Sequence, residues 1–254
     1  MIAFRYDKTF EGFLTGVFEA YDKKVFPEKF LSESELAPLF AEEVISIETD
    51  DNKAYRVWQG LLKKLSKTAC QTIWMVWLSE KADVEELLLR YIRKVFAAQK
   101  FAETNFGDPD VLEMSQIAKM VGREAEHIRQ FTRFQKAADG IFFAPVTAAC
   151  NALPLSINYF KDRFADQQWI VYDIERKYGF FYDLKTVTEI TLDGEGNHLL
   201  TGKLDDELMD KDEKLFQEMW KGYFKALTIK ERINLKLQRQ HMPRRFWKYL
   251  TEKQ

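Results

Sequence analysis

Apolar residues change their spacing about halfway along this chain, and the change restricts the folds open to it. Val84, Leu87, Leu88, Tyr91, Ile92, Val95 and Phe96 recur at i, i+3, i+4 and i+7, the stripe of a helix with one buried face. The same period runs through Phe10, Phe13, Leu14, Val17, Phe18 and Tyr21, with Asp7 or Thr9 as the cap, and through Trp58 and Leu62 after Asp50-Asp51-Asn52. Residues 2–6 and 43–49 read as short strands, and 27–38 as a polar, Pro-containing connection. The first hundred residues are therefore expected to be mainly helical.

Beyond residue 105 the pattern shifts. Asp108-Pro109 starts a helix expected to reach about Met120, where Gly122 should interrupt it before a shorter helix at 123–127. Gln130–Lys136 and Ile141–Val146, joined by Asp139-Gly140, read as a hairpin. Pro154 opens a helix through Phe164, and 169–175, 180–184 and 187–192 read as three further strands. The helical period returns from Phe216 to Leu227, ahead of a basic C-terminus. These elements predict an α+β protein, with a helical N-terminal half packed on a largely antiparallel sheet of about five strands and a helical basic C-terminus. The divisions are expected at 1–104 and 105–254.

Charge is unevenly placed. The chain holds 38 Lys+Arg and 40 Asp+Glu, a net of −2, but residues 229–254 contain eight cations and two anions. That stretch is therefore +6 and the other 228 residues −8. Among its cations stand Asn234, Gln238, Gln240 and His241, able to hydrogen-bond bases or phosphates, and Phe246, Trp247 and Tyr249, able to stack. Arg232, Lys236, Arg239, Arg244, Arg245 and Lys248 supply charge for a nucleic-acid backbone. The competing reading is a clasp, with Phe246 and Trp247 buried and the arginines paired to the acidic, loop-like segment 193–213.

Two cysteines, Cys70 and Cys150, are too few for a disulfide framework, a four-cysteine zinc site or a cluster. The N-terminus lacks the apolar core of a signal peptide, and the longest apolar run, Ile73–Leu78, is far short of the roughly 20 residues that span a bilayer. A cytoplasmic protein without membrane contact is expected. No phosphate loop or dinucleotide fingerprint occurs, and three histidines without metal spacing argue against zinc, so no metal or cofactor is expected. Asp193–Asn197 reads as a hairpin turn rather than a calcium loop, and His198 as a solvated residue.

Chemistry on the strands is a second possibility. Arg133, Asp173 and Arg176 could line a pocket, with Asp173, Tyr182, His127 and His241 as acid or base groups, or they could form a solvated face with cross-strand ion pairs. His127 also reads as a helix C-terminal cap.

Four stretches carry a family resemblance. They are Phe4–Leu14; Glu126-His127 with Phe131-Thr132-Arg133-Phe134; Phe160-Lys161-Asp162-Arg163-Phe164 with Trp169–Asp173; and Lys230–Asn234 with Gln240–Lys248. With these the chain resembles a bacterial family described as DNA metabolism or DNA repair proteins, whose domain is otherwise of unknown function. Its members are typically encoded beside a radical S-adenosylmethionine protein, and some relatives are fused to a uracil-DNA glycosylase domain. The resemblance implies DNA as partner and an accessory role in repair or modification beside that radical protein. A hydrolase or lyase acting on damaged nucleic acid, or a protein-interaction subunit without nucleic-acid contact, are the alternatives.

Overall fold

A computed structural model of the chain describes residues 1–192, 204 and 207–253. The contacts gather into two compact units, Met1–Val121 and Gly122–Gln254. The expected turn at Asp193-Gly194 and His198 lie outside the described residues.

In the first unit, β1 (Ile2–Tyr6) is the centre of a parallel sheet ordered β2-β1-β3, with β2 at Lys29–Ser32 and β3 at Glu43–Ser46. Helix α1 (Phe10–Asp22) makes the crossover from β1 to β2. Its N-cap is Thr9, whose hydroxyl oxygen accepts from the Gly12 amide. Asp7 supports that cap by accepting from the Thr9 amide at 3.0 Å and its hydroxyl at 2.6 Å. Strand β2 falls inside the segment expected to be a connection. Only Phe30 and Leu31 are buried there, so the local pattern is too short to read, and pairing to β1 makes the strand.

Helices α2 (Asp51–Lys64), α3 (Lys67–Trp77) and α4 (Val84–Ala97) complete this unit's core with the start of α5 (Pro109–Phe131). Asp50 caps α2 through the amides of Asn52 and Lys53. On α4, the residues at the helical spacing from Val84 to Val95 are buried as the period requires. The core centres on Phe4, Phe13, Leu61, Ile73, Leu88 and Ile92.

Helix α5 runs without a break through Gly122, contrary to the expected interruption. Met114, Ile117, Val121, Ala125 and Ile128 form a continuous buried stripe along it. Burying one such side chain contributes about 1.5–3 kcal/mol, more than the roughly 1 kcal/mol that a glycine costs within a helix. The strand expected at 130–136 consequently shrinks to β4, Gln135–Lys136.

The second unit holds a five-stranded sheet in sequence order: β4, β5 (Phe142–Val146), β6 (Trp169–Asp173), β7 (Tyr178–Tyr182) and β8 (Val187–Ile190). Every neighbouring pair is antiparallel except β5–β6, which is parallel and is joined through a 3-10 turn at Leu153–Ser156 and helix α6 (Ile157–Arg163). The protein is thus α+β. Gly140, at φ +89°, closes the β4–β5 turn in the left-handed region that glycine tolerates. On the open edge of β4, residues 208–210 add an antiparallel bridge, with the Ala138 amide donating to Leu208 O and the Asp210 amide to Lys136 O. Helix α7 (Glu213–Leu227) and the short α8 (Leu235–His241) follow, then 3-10 turns at Arg244–Tyr249 and Thr251–Lys253.

Two glycines of this unit should respond oppositely to alanine. A Cβ on Gly179 would lie 2.4 Å from Val171 O and 2.8 Å from Tyr172 Cα, both backbone of the neighbouring strand, whereas one on Gly222 in α7 meets nothing within 4 Å. Gly179→Ala should lower the urea midpoint, at a cost of about 1–3 kcal/mol. Gly222→Ala should raise it, with a gain of up to about 1 kcal/mol through helix propensity.

Candidate functional site

The C-terminus divides the residues expected to bind nucleic acid into two sets. From Met242 onward the chain is held against α5 through its apolar residues, while Arg244 and Lys248 stay exposed. Phe246 is buried beside Phe131, their ring centroids 5.4 Å apart, with Leu250, Met242 and Trp247 in the same cluster. The His127 ring lies 5.8 Å from Phe131 and 6.1 Å from Phe246, so His127 packs in this cluster, and its Nδ1 is 3.4 Å from Glu124 Oε2.

Glu124 is the anchor of this contact. Its Oε1 accepts from the Ala149 amide at 2.8 Å and from Arg245 Nε at 3.2 Å, and its Oε2 takes the other arm of the Arg245 guanidinium. Glu124 is 5% exposed. Removing one partner of a buried pair costs about 3–5 kcal/mol, so Arg245 is committed to this contact. The clasp reading had paired the arginines with 193–213; the partner of Arg245 is instead on α5. Trp247 donates its indole N–H to Met242 O at 3.0 Å and lies beneath Arg244 and Lys253, while the Lys248 ammonium stands over Tyr249.

The other set stands clear. Arg232, Lys236, Arg239, Gln240 and His241 are exposed on and before α8, with Gln238 half-buried. Asn234 is exposed as well, and its side-chain oxygen caps α8 through the Leu237 amide at 3.0 Å.

The strand residues do not come together. Asp173 and Tyr182 stand at opposite ends of the β6–β7 hairpin, where Asp173 faces Tyr178 and Tyr182 faces Trp169. Asp173 is fully buried and accepts from the amides of Glu175 and Arg176 and from the Arg176 guanidinium at 3.0 Å. Burial pushes its carboxyl above the ordinary range, against the pull of Arg176. Arg176 also donates to Ala148 O at 3.1 Å, so the pair fastens the hairpin turn to the segment after β5. The Tyr182 hydroxyl donates to Ala165 O at 3.3 Å. Arg133 points elsewhere, to Glu252 at 2.8 Å.

Around Arg133 the second unit opens a groove of about 880 Å³. The end of α5 and β4 contribute Arg129, Arg133, Phe134 and Lys136; α6 and the residue after it give Tyr159, Arg163 and Phe164; α7 gives Phe216 and Trp220. Neither Asp173 nor Tyr182 lines it. Phe134 and Phe164 meet edge to face at 5.0 Å and are half-buried, whereas Tyr159, Phe216 and Trp220 are 42%, 60% and 41% exposed. Those three rings present faces on which a planar group can stack.

The cations differ in their availability. Arg129 pairs with Glu126 and Lys136 with Asp210, in partly exposed contacts worth about 0–1 kcal/mol, which an incoming phosphate can replace. Arg163 is exposed, lies over the Phe164 ring, and has no salt bridge among the described residues. Arg133 is fixed, because Glu252 is only 2% exposed in its side chain and also accepts from the Trp220 indole N–H at 2.9 Å. Glu252 therefore positions both an arginine and a stacking ring. Of this groove only Arg133 was singled out from sequence. The signal lay in two stretches that carry the resemblance, Phe131–Phe134 and Phe160–Phe164, each an arginine beside aromatics.

Among the described residues no group of three or more His, Cys, Asp or Glu is arranged to hold a metal ion, and no helix is long and apolar enough to cross a membrane.

Fold and site together define an α+β protein of two units whose second carries an aromatic, cation-lined groove. Residues 82–252 match the family described as a domain of unknown function, DUF4130, and the chain belongs to that family. Neither a curated protein nor a solved structure registers as a match to it.

Burial would raise the Glu252 carboxyl, but the hydrogen bonds from Arg133 and Trp220 outweigh it and hold the group below its ordinary 4.5. A depressed folded value means that the contact stabilises at neutral pH and is lost only as pH falls through that lowered value. The Trp220 indole N–H resonance should stay in place through the pH range in which an ordinary glutamate titrates and shift only at lower pH. Glu252→Gln should move the resonance at every pH.

Proposed function

We propose that the protein binds nucleic acid through the groove of its second unit and serves as a cytoplasmic accessory protein of DNA repair or modification, alongside a radical S-adenosylmethionine protein. The observation that carries this reading is the meeting of Arg129, Lys136 and Arg163 with the exposed rings of Tyr159, Phe216 and Trp220 in one concave surface. Cations along a groove follow a phosphate backbone, and aromatic faces take unpaired bases without regard to sequence. The favoured ligand is thus a single strand or a base displaced from a duplex. Arg232, Lys236 and Arg239 add exposed positive charge to the same unit.

The association with a second protein has its own support. On α7, Leu215 and Met219 are 57% and 60% exposed and lie on a different arc of the helix from Phe216 and Trp220. Ile229, Ile233, Leu235 and Leu237, which follow α7 in the chain, are exposed as well. Exposed apolar side chains in this number suit a protein partner.

Fluorescence anisotropy with labelled single-stranded, duplex and uracil-containing DNA over a salt series tests the groove. Trp220→Ala should weaken single-strand binding by about 5–150-fold, the loss of one stacked base at about 1–3 kcal/mol. Arg163→Ala should reduce the log–log salt slope by about 0.7. Unchanged binding in both variants would remove the groove from consideration.

The partner surface is tested separately by co-purification with the neighbouring radical protein. Leu215→Gln with Met219→Gln should abolish it while leaving DNA affinity within about twofold, since neither change alters the charge that a phosphate backbone meets.

A further inference from the structure

The first unit has a cavity of its own, of about 790 Å³, at the carboxyl end of its parallel sheet. Chain order places it. After β1 the chain crosses over α1 to β2 on one side of β1, while β3 pairs on the other side. The carboxyl ends of β1 and β3 therefore flank a point where the connections diverge, the place at which open parallel sheets bind ligands. Asp7 follows β1 and Thr49 follows β3; both line the cavity, and the Thr49 hydroxyl donates to Asp7 Oδ2 at 2.8 Å. Gly12 makes room for this carboxylate, because a Cβ there would lie 2.3 Å from Asp7 Oδ1.

The lining has a definite chemical character. Trp58, Trp74, Phe10 and Tyr55 form aromatic walls, with Phe10 edge-on to Trp58 at 5.7 Å and to Trp74 at 5.1 Å. Asp7, Glu11 and Asp51 supply three exposed carboxylates, and no lysine, arginine or histidine lines the cavity. The nearby lysines are turned away, Lys8 to Glu85 and Lys53 to Glu19. Glu11 and Asp51 have no salt bridge among the described residues. Hydrogen bonds from Thr9 and Thr49 hold the Asp7 carboxyl below its ordinary range against the effect of burial, so it is ionised at neutral pH.

Aromatic faces and carboxylates both attract positive charge, and a weakly hydrated cation gains most from the rings. The partial positive charge at the start of α1 would otherwise favour an anion, but three full negative charges exceed its roughly half unit. A bare metal ion is disfavoured, since among the described residues no cluster is arranged to hold one. We propose that this cavity is a binding site for an alkylated ammonium group, carried either by a small free molecule or by a trimethylated lysine side chain of another protein.

Choline, a trimethyllysine peptide and 3,3-dimethylbutanol, the uncharged analogue of choline, distinguish the possibilities when titrated into the full chain and followed by tryptophan fluorescence. Choline or the peptide should give a saturable change that 3,3-dimethylbutanol does not. The tighter of the two identifies the source. Glu11→Gln and Asp51→Asn, both exposed and checked by thermal melting for an intact fold, should each weaken binding at least fivefold, and Tyr55→Ala likewise. An equal response to the uncharged analogue would overturn the proposal. So would affinity unchanged in all three variants, or no response to either cation.

Discussion

The ion pair between Arg133 and Glu252 joins residues 119 positions apart, and the shape of the second unit depends on it. Arg133 stands where α5 gives way to β4, and Glu252 lies in the last turn of the described chain. Since Glu252 also accepts from Trp220, one buried carboxylate fixes the end of α5, the middle of α7 and the C-terminus together. The groove exists because these three segments are held at its sides. Glu124 does similar work one side of α5 away, where Arg245 and the Ala149 amide meet it. Two acidic residues thereby draw a basic tail back onto the helix that begins the unit.

This anchoring changes the meaning of the charge distribution. A +6 segment suggests a uniform cationic arm, but buried carboxylates take Arg245, and the aromatic residues Phe246 and Tyr249 go into the core. What remains exposed is the basic stretch around α8, with Arg244 and Lys248 beyond it. The surface best suited to stacking lies instead across α5, α6 and α7, where the arginines are fewer and the rings are accessible. Charge alone locates an electrostatic field; placing bases also requires flat faces held at fixed positions.

Helix α7 illustrates how one element faces two ways. Phe216 and Trp220 line the groove, while Leu215 and Met219 lie on a neighbouring arc of the same helix and are exposed. Its amphipathic period is strong, yet Glu213 is its one buried residue. A period of this kind shows that a face is apolar, without showing what covers it.

Much of the architecture was legible from local pattern. The stripes of α1, α2 and α4, a cap at Asp7 or Thr9, the helix start at Asp50–Asn52, the start at Asp108-Pro109 and the run of strands from 135 to 190 all follow from side-chain period and turn chemistry, which act over a few residues. Gly122 misled because a local propensity of about 1 kcal/mol is smaller than the burial along α5 that opposes it. Strand β2, the parallel β5–β6 pairing and the separation of Asp173, Tyr182 and Arg133 could not be read, since each depends on partners far away in sequence. The same holds for both cavities. Which residues are cationic, aromatic and helix-forming is written in the order of the chain; which arginines are neutralised by buried carboxylates and which rings stay exposed depends on the folded arrangement, because ion pairing and burial are properties of neighbours in space.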